Sequence, residues 1–211
     1  MDIRRDFYLE KLIKRKSNGL IKVITGIRRC GKSYLLNNIF YHHLLDSGVE
    51  ADHIIRFAFD SADDLYLIGE RLIQIEKEKR GVDPEKFMAY IRSKTTGEGI
   101  YYLLLDEIQM LDCFEAVLNG YLRKENIDVF VTGSNAKLLS KDIATEFAGR
   151  GDEIHMYPLS FAEFMSVYNG DKYTGLSEYM LYGGIPLVVL RDGAGDKATA
   201  LQNLFNEIYI R

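Results

Sequence analysis

The sequence predicts an α/β fold in which a parallel sheet is covered by helices on both faces. Short runs rich in β-branched and aromatic residues, helix-like stretches between them, and a glycine-rich turn joining the first strand to the first of these helices carry this expectation. The first strand is Leu20–Thr25, "LIKVIT", and after the glycine turn a helix is expected from Tyr34 to about Leu45. His53–Phe59 reads as the second strand, Asp63 to Lys79 as one helix, and Pro84 as a helix start, because a fixed φ suits the first helical turn. Ile100–Leu105 is apolar without interruption, as a strand buried on both faces should be. Asp112 with Glu115, and Ser160 with Glu163, have capping-box spacing and announce two further helices. Val129–Thr132 and Glu153–Tyr157 complete the strands, with a helix from Ala136 between them. Near the end, Leu201, Leu204, Phe205 and Ile208 recur at helical spacing on one face.

The chain has 211 residues and a net charge of −4, enough for one sizeable core and without a global electrostatic reason to bind nucleic acid. Arg4, Arg5, Lys11, Lys14, Arg15 and Lys16 form a local basic cluster, read as a solvated helix face. Two cysteines, Cys30 and Cys113, do not make a disulfide scaffold. Charges interrupt every apolar run well short of a membrane span, and the expected compartment is the cytoplasm. His42, His43, His53 and His155 show no spacing that would build a metal site with the cysteines.

Chemistry concentrates in "GIRRCGKSYLL". Gly26, Gly31, Lys32 and Ser33 match G-x-x-x-x-G-K-[ST], between a strand and a helix. Glycines let the backbone wrap closely, so that consecutive N–H groups and a helix N-terminus converge on phosphate oxygens. Lys32 can reach β- and γ-phosphates, and Ser33 can ligate magnesium. The phosphate-binding candidates are the whole run Gly26, Ile27, Arg28, Arg29, Cys30, Gly31, Lys32, Ser33 and Tyr34.

"IYYLLLDEIQ" puts Asp106 and Glu107 at the carboxyl end of a buried strand, where open parallel sheets bind ligands. Asp106 is the metal candidate together with Ser33, and Glu107 the group that polarises an attacking water. "VFVTGSNAKLL" ends a third strand with Thr132, Ser134 and Asn135, where an amide or hydroxyl would hold the attacking water or touch the γ-phosphate, or Ser134 or Asn135 would only cap the next helix. Arg150, in "FAGRGDEI", is either a surface charge or an arginine that neutralises transition-state charge on a neighbouring subunit's nucleotide.

Together, "ITGIRRCGKSYLL", "YLLLDEIQ", "VTGSNAKLLS", "FAGRGDEIHMYPLSFAEF" and "YGGIPLVV" resemble the successive signatures of the prokaryotic AAA-type ATPases of the AAA_14 family, which normally continue into a DUF4143 region. The resemblance runs from about Leu20 to Leu190. It implies a P-loop NTPase core with a five-stranded sheet of order 5-1-4-3-2, ATP rather than GTP, and magnesium-dependent hydrolysis to ADP and phosphate. It assigns catalytic roles to Lys32, to Glu107, to Asn135 (or Ser134) as the sensor and to Arg150 as the arginine of the family's G-R pair, and the metal to Ser33 and Asp106. The expected division is a basic N-terminal helix over residues 1–19, an ATPase core over 20–160 and a helical extension over 161–211, the start of a truncated second region. Expected partners are ATP and a second copy of the chain, with the protein or DNA client unspecified. A nucleotide-gated DNA- or protein-binding module and a P-loop kinase are the alternative readings.

Overall fold

The computed structural model describes residues 3–133 and 149–209, with side chains to residue 206. Five strands, β1 (Ile21–Thr25), β2 (Ile54–Ala58), β3 (Tyr101–Asp106), β4 (Ile127–Thr132) and β5 (Gly151–His155), form a parallel sheet of order β2-β3-β4-β1-β5. This is the predicted order 5-1-4-3-2, seen from the other edge. The chain divides into two compact units, the larger from Phe7–Gly26 and Lys32–His155, the smaller from Met1–Asp6, Ile27–Gly31 and Met156–Arg211.

In the larger unit, every residue of β1 and β3 is buried, as two-sided coverage of a parallel sheet requires. Alternate residues face opposite ways. Val23, Leu103, Leu105, Val129 and Val131 join Phe57, Phe59, Phe87 and Leu118 in one cluster. Phe130, in register with both Leu104 and Lys22, packs its ring 4.6 Å from that of Phe40. Lys22 is fully buried on β1; its ammonium donates to Asp128 and to the Leu20 carbonyl at 2.8 Å. Burial pulls its pKa down, and the Asp128 hydrogen bond and charge oppose this.

Several elements depart from the pattern reading. The expected helix Asp63–Lys79 is two, Ala62–Leu67 and Leu72–Glu78. Gly69 takes a positive φ of 71° between them, and Glu70 is drawn inside by Arg80 and Lys86, each at 2.6 Å. The helix Phe114–Tyr121 is preceded by Cys113 in a left-handed conformation rather than capped by the Asp112 side chain. Asp112 donates its backbone N–H to Val82 beside a Val82–Leu111 bridge, which overrides the local capping signal. β5 lies about two residues earlier than expected. The helix after the glycine turn starts at Lys32 and contains a π-helical segment, Leu35–Phe40, before returning to α at Tyr41–Asp46. Pro84 does open a helix, with Asp83 as its cap.

The smaller unit contains the helices Phe161–Met165, Lys172–Tyr182, Pro186–Val189 and Ala194–Tyr209. Ser160 and Glu163 form the expected capping box. Gly184 explains part of "YGGIPL": it accepts the Leu159 N–H at 2.7 Å, and a Cβ there would lie 2.2 Å from the Leu159 carbonyl oxygen. Of the predicted C-terminal stripe, Leu204 is buried and Phe205 is 56% exposed. Arg5 is no solvated helix residue: it is 3% exposed, donates to the carbonyls of Tyr157 (2.6 Å) and Cys30 (3.4 Å), and pairs with Glu163 at 3.1 Å.

Candidate functional site

The glycine turn is built from conformations that its sequence permits. Gly26 has φ 142° and Gly31 φ 102°, regions that favour a residue without Cβ, while Arg29 adopts φ 66°. Ile27, Arg28 and Arg29 are exposed and Cys30 is buried. Lys32 is 4% exposed and donates its ammonium to the Gly26 carbonyl at 3.0 Å. Ser33 and Tyr34 are exposed at the start of the helix.

Asp106, the last residue of β3, is the point of convergence. Ser33 donates its hydroxyl to Asp106 Oδ1 at 3.1 Å. The Thr132 hydroxyl donates to the same oxygen, and the Asn37 amide donates to Oδ2 at 3.2 Å. Burial pushes the Asp106 carboxyl up; hydrogen bonds from Thr132 and Ser33 act against it, and the neighbouring Glu107 and Asp60 charges reinforce it. A buried carboxylate beside a serine hydroxyl is a hard-oxygen donor set, and a divalent cation offsets the cost of keeping such a carboxylate charged. These residues fit magnesium.

Glu107 stands just beyond, with its N–H donated to Thr132 Oγ1 at 3.2 Å and its carboxylate accepting from the Gln109 amide. One threonine therefore gives its proton to Asp106 and takes that of the Glu107 backbone, tying the end of β4 to the end of β3. Ser134 and Asn135, the sequence candidates for this strand end, lie outside the described residues. Arg150 is exposed, with Nη1 3.3 Å from Asn119 Oδ1.

Sequence reasoning passed over Asn37 and took Thr132 only as one of the polar groups at its strand end, facing the nucleotide rather than Asp106. Asn37 had a legible signal, four residues after Ser33 and hence on the same helix face. Its carbonyl also accepts Arg56 Nη1 at 3.3 Å. Thr132 had only its place at a strand end. Of the discounted histidines, His155 lies with Nδ1 3.0 Å from the hydroxyl of Thr25, which in turn donates to Glu153. His53 shares the exposed turn into β2 with Glu50 and Asp52, their donor atoms within 4.8 Å.

Comparison with known proteins supports the same architecture. An uncharacterized protein of Haemophilus influenzae is 36% identical over 99% of this chain, and one of Methanocaldococcus jannaschii is 30% identical over 99%. The chain spans 50% and 44% of their respective lengths. Among solved structures, the Walker-type ATPase of Pyrococcus abyssi superposes with a TM-score of 0.63 at 17% identity, over 99% of this chain and 74% of that one. AMPPCP-bound DnaA of Aquifex aeolicus gives 0.52 at 13% identity, over 96% and 60%. At these identities the likeness speaks for the fold. Residues 18–165, from just before β1 through the capping box of Ser160, match the sequence profile described as AAA domain, and the chain thus belongs to the AAA_14 family.

Proposed function

We propose that this chain binds ATP with magnesium and hydrolyses it to ADP and phosphate, using turnover to switch conformation. The observation that carries the reading is the meeting of Ser33 and Asp106, 73 residues apart in sequence, at 3.1 Å, next to a buried Lys32 that donates to the Gly26 carbonyl. Backbone N–H groups of the loop and the helix start receive the phosphates. Lys32 exchanges the Gly26 carbonyl for β- and γ-phosphate oxygens, so the loop carbonyl acts as a placeholder for the nucleotide. Ser33 and Asp106 hold the metal, which when bound neutralises phosphate charge. Glu107 takes the proton of the attacking water. Thr132 keeps the two acidic residues in fixed relation, and Asn37 orients Asp106 through its second oxygen.

Asn135 retains the γ-phosphate sensor role in this proposal, and Arg150 supplies charge to the nucleotide of a second copy, so the assembly is a homo-oligomer. Among the described residues no helix is long and apolar enough to cross a membrane, and cytoplasmic action is part of the proposal. The deciding experiment measures phosphate release from ATP with no acceptor present, alongside titration with a labelled ATP analogue. Lys32→Ala should weaken binding severely, while Glu107→Gln should keep binding and lower turnover by about two orders of magnitude. Equal affinity in Lys32→Ala refutes the loop assignment, and wild-type turnover in Glu107→Gln refutes the base.

A further inference from the structure

The turn after β3 places Glu107 in a backbone conformation that a residue with a Cβ seldom adopts, φ 52° and ψ 50°. Its N–H is held by Thr132 Oγ1 at 3.2 Å and its carbonyl accepts the Met110 N–H at 3.0 Å. Both bonds fix the direction in which the side chain leaves the backbone. They do not fix the carboxylate, which lies three rotatable bonds further out. Gln109 reaches that carboxylate: its side-chain amide donates to Glu107 Oε2 from the single turn Ile108–Met110.

The other end of the same amide sets this contact apart from ordinary packing. Gln109 Oε1 is buried and has no hydrogen-bond partner among the described residues. Burying an acceptor without a donor is costly, and a methionine would fill a similar volume without that cost. A half-paired glutamine is therefore a poor choice for stability alone. Reversing the amide would put its oxygen against the carboxylate, so charge dictates which way round it sits. The net effect is a donor turned onto Glu107 Oε2, with an acceptor left unpaired among the described residues on the other side of the amide.

We propose that Gln109 is a positioning residue that holds the Glu107 carboxylate in the orientation from which it accepts a proton from the attacking water. This rests on the reading of Glu107 as the base. Gln109 acts only through Glu107, and its loss changes the chemical step while leaving the nucleotide's own contacts in place. A base that must sample its rotamers spends less time aligned, and misalignment costs rate rather than affinity.

The test is a double-mutant cycle of wild type, Gln109→Ala, Glu107→Gln and the double variant, reading kcat, KM, affinity for a labelled ATP analogue and Tm. Gln109→Ala should lower kcat by about tenfold or more with affinity changed less than about twofold, and should have no further effect in the Glu107→Gln background. If the alanine variant fails to fold, Gln109→Met keeps the volume, removes the donor and gives the same expectations. Wild-type kcat in either Gln109 variant beside a disabled Glu107→Gln overturns the positioning role alone. So do losses that multiply in the double variant, because Gln109 then acts independently of Glu107. Wild-type turnover in Glu107→Gln by itself overturns the base and, with it, the assignment to Gln109.

Discussion

Thr132→Val removes one hydroxyl from the junction of β3 and β4 while nearly preserving side-chain shape. In the native chain that hydroxyl donates to the Asp106 carboxylate and accepts the Glu107 N–H at 3.2 Å, and Thr132 is fully buried. Hydrogen bonds to charged groups contribute about 1.5–3 kcal/mol, and an orphaned buried amide costs about 1–3 kcal/mol. Asp106 Oδ1 keeps Ser33 at 3.1 Å, which limits the first loss, and the added methyl gains some apolar burial. The expected net destabilisation is about 2–4 kcal/mol, equivalent to roughly 5–15 °C in Tm for a chain of this size. Differential scanning calorimetry supplies the Tm, and hydrogen exchange at the Glu107 amide reports whether the loss sits at this junction. Thr132→Ser should recover most of the deficit because it restores the oxygen. An unchanged Tm with undiminished protection at Glu107 in Thr132→Val would refute the bridging role.

Two further outcomes follow from charge placement. Glu70 is buried, which pushes its carboxyl up, but hydrogen bonds from Lys86 and Arg80 prevail and leave it below the usual glutamate range. A depressed carboxyl contributes stability that is fully present above its unfolded pKa of about 4.3 and is lost as pH falls through the folded value. The stability difference between wild type and Glu70→Gln in urea unfolding should therefore be flat from about pH 6 to 7 and shrink below about pH 4; a difference independent of pH down to the acid limit would contradict the pairing. Arg150→Ala should leave nucleotide affinity nearly unchanged and lower turnover, and mixing it with Glu107→Gln subunits should restore partial activity at interfaces where both groups are intact. No rescue in a demonstrated mixed oligomer would remove the trans role.

Much of this protein is legible in local chemistry alone. The glycine turn is readable because its conformation is a property of Gly26 and Gly31 themselves. The central strand is readable because two-sided burial demands the continuous apolar run from Tyr101 to Leu105. Asp83–Pro84 and Ser160–Glu163 announce helix starts because a cap satisfies N–H groups only two or three residues away. Where a local signal meets a competing long-range contact, the contact prevails. Asp112 pairs its backbone with Val82 instead of capping, and Glu70 leaves the helical path to meet Arg80 and Lys86.

The glycine loop and the strands that line the core could be read from the chain's local order, because loop conformation and strand burial depend on residues close together in sequence. The pairing of Ser33 with Asp106 was expected from the chain; the tertiary structure decided that Thr132 and Asn37 join them on that carboxylate and that Gln109 donates to the glutamate beside it. Arg5 was likewise unreadable as a buried clamp, since its partners Tyr157 and Glu163 lie some 150 residues downstream. A hydroxyl at a strand end carries no mark of the acid it will meet; that pairing exists only once β3 and β4 lie side by side, where a buried carboxylate must take whatever donors the sheet order brings within reach.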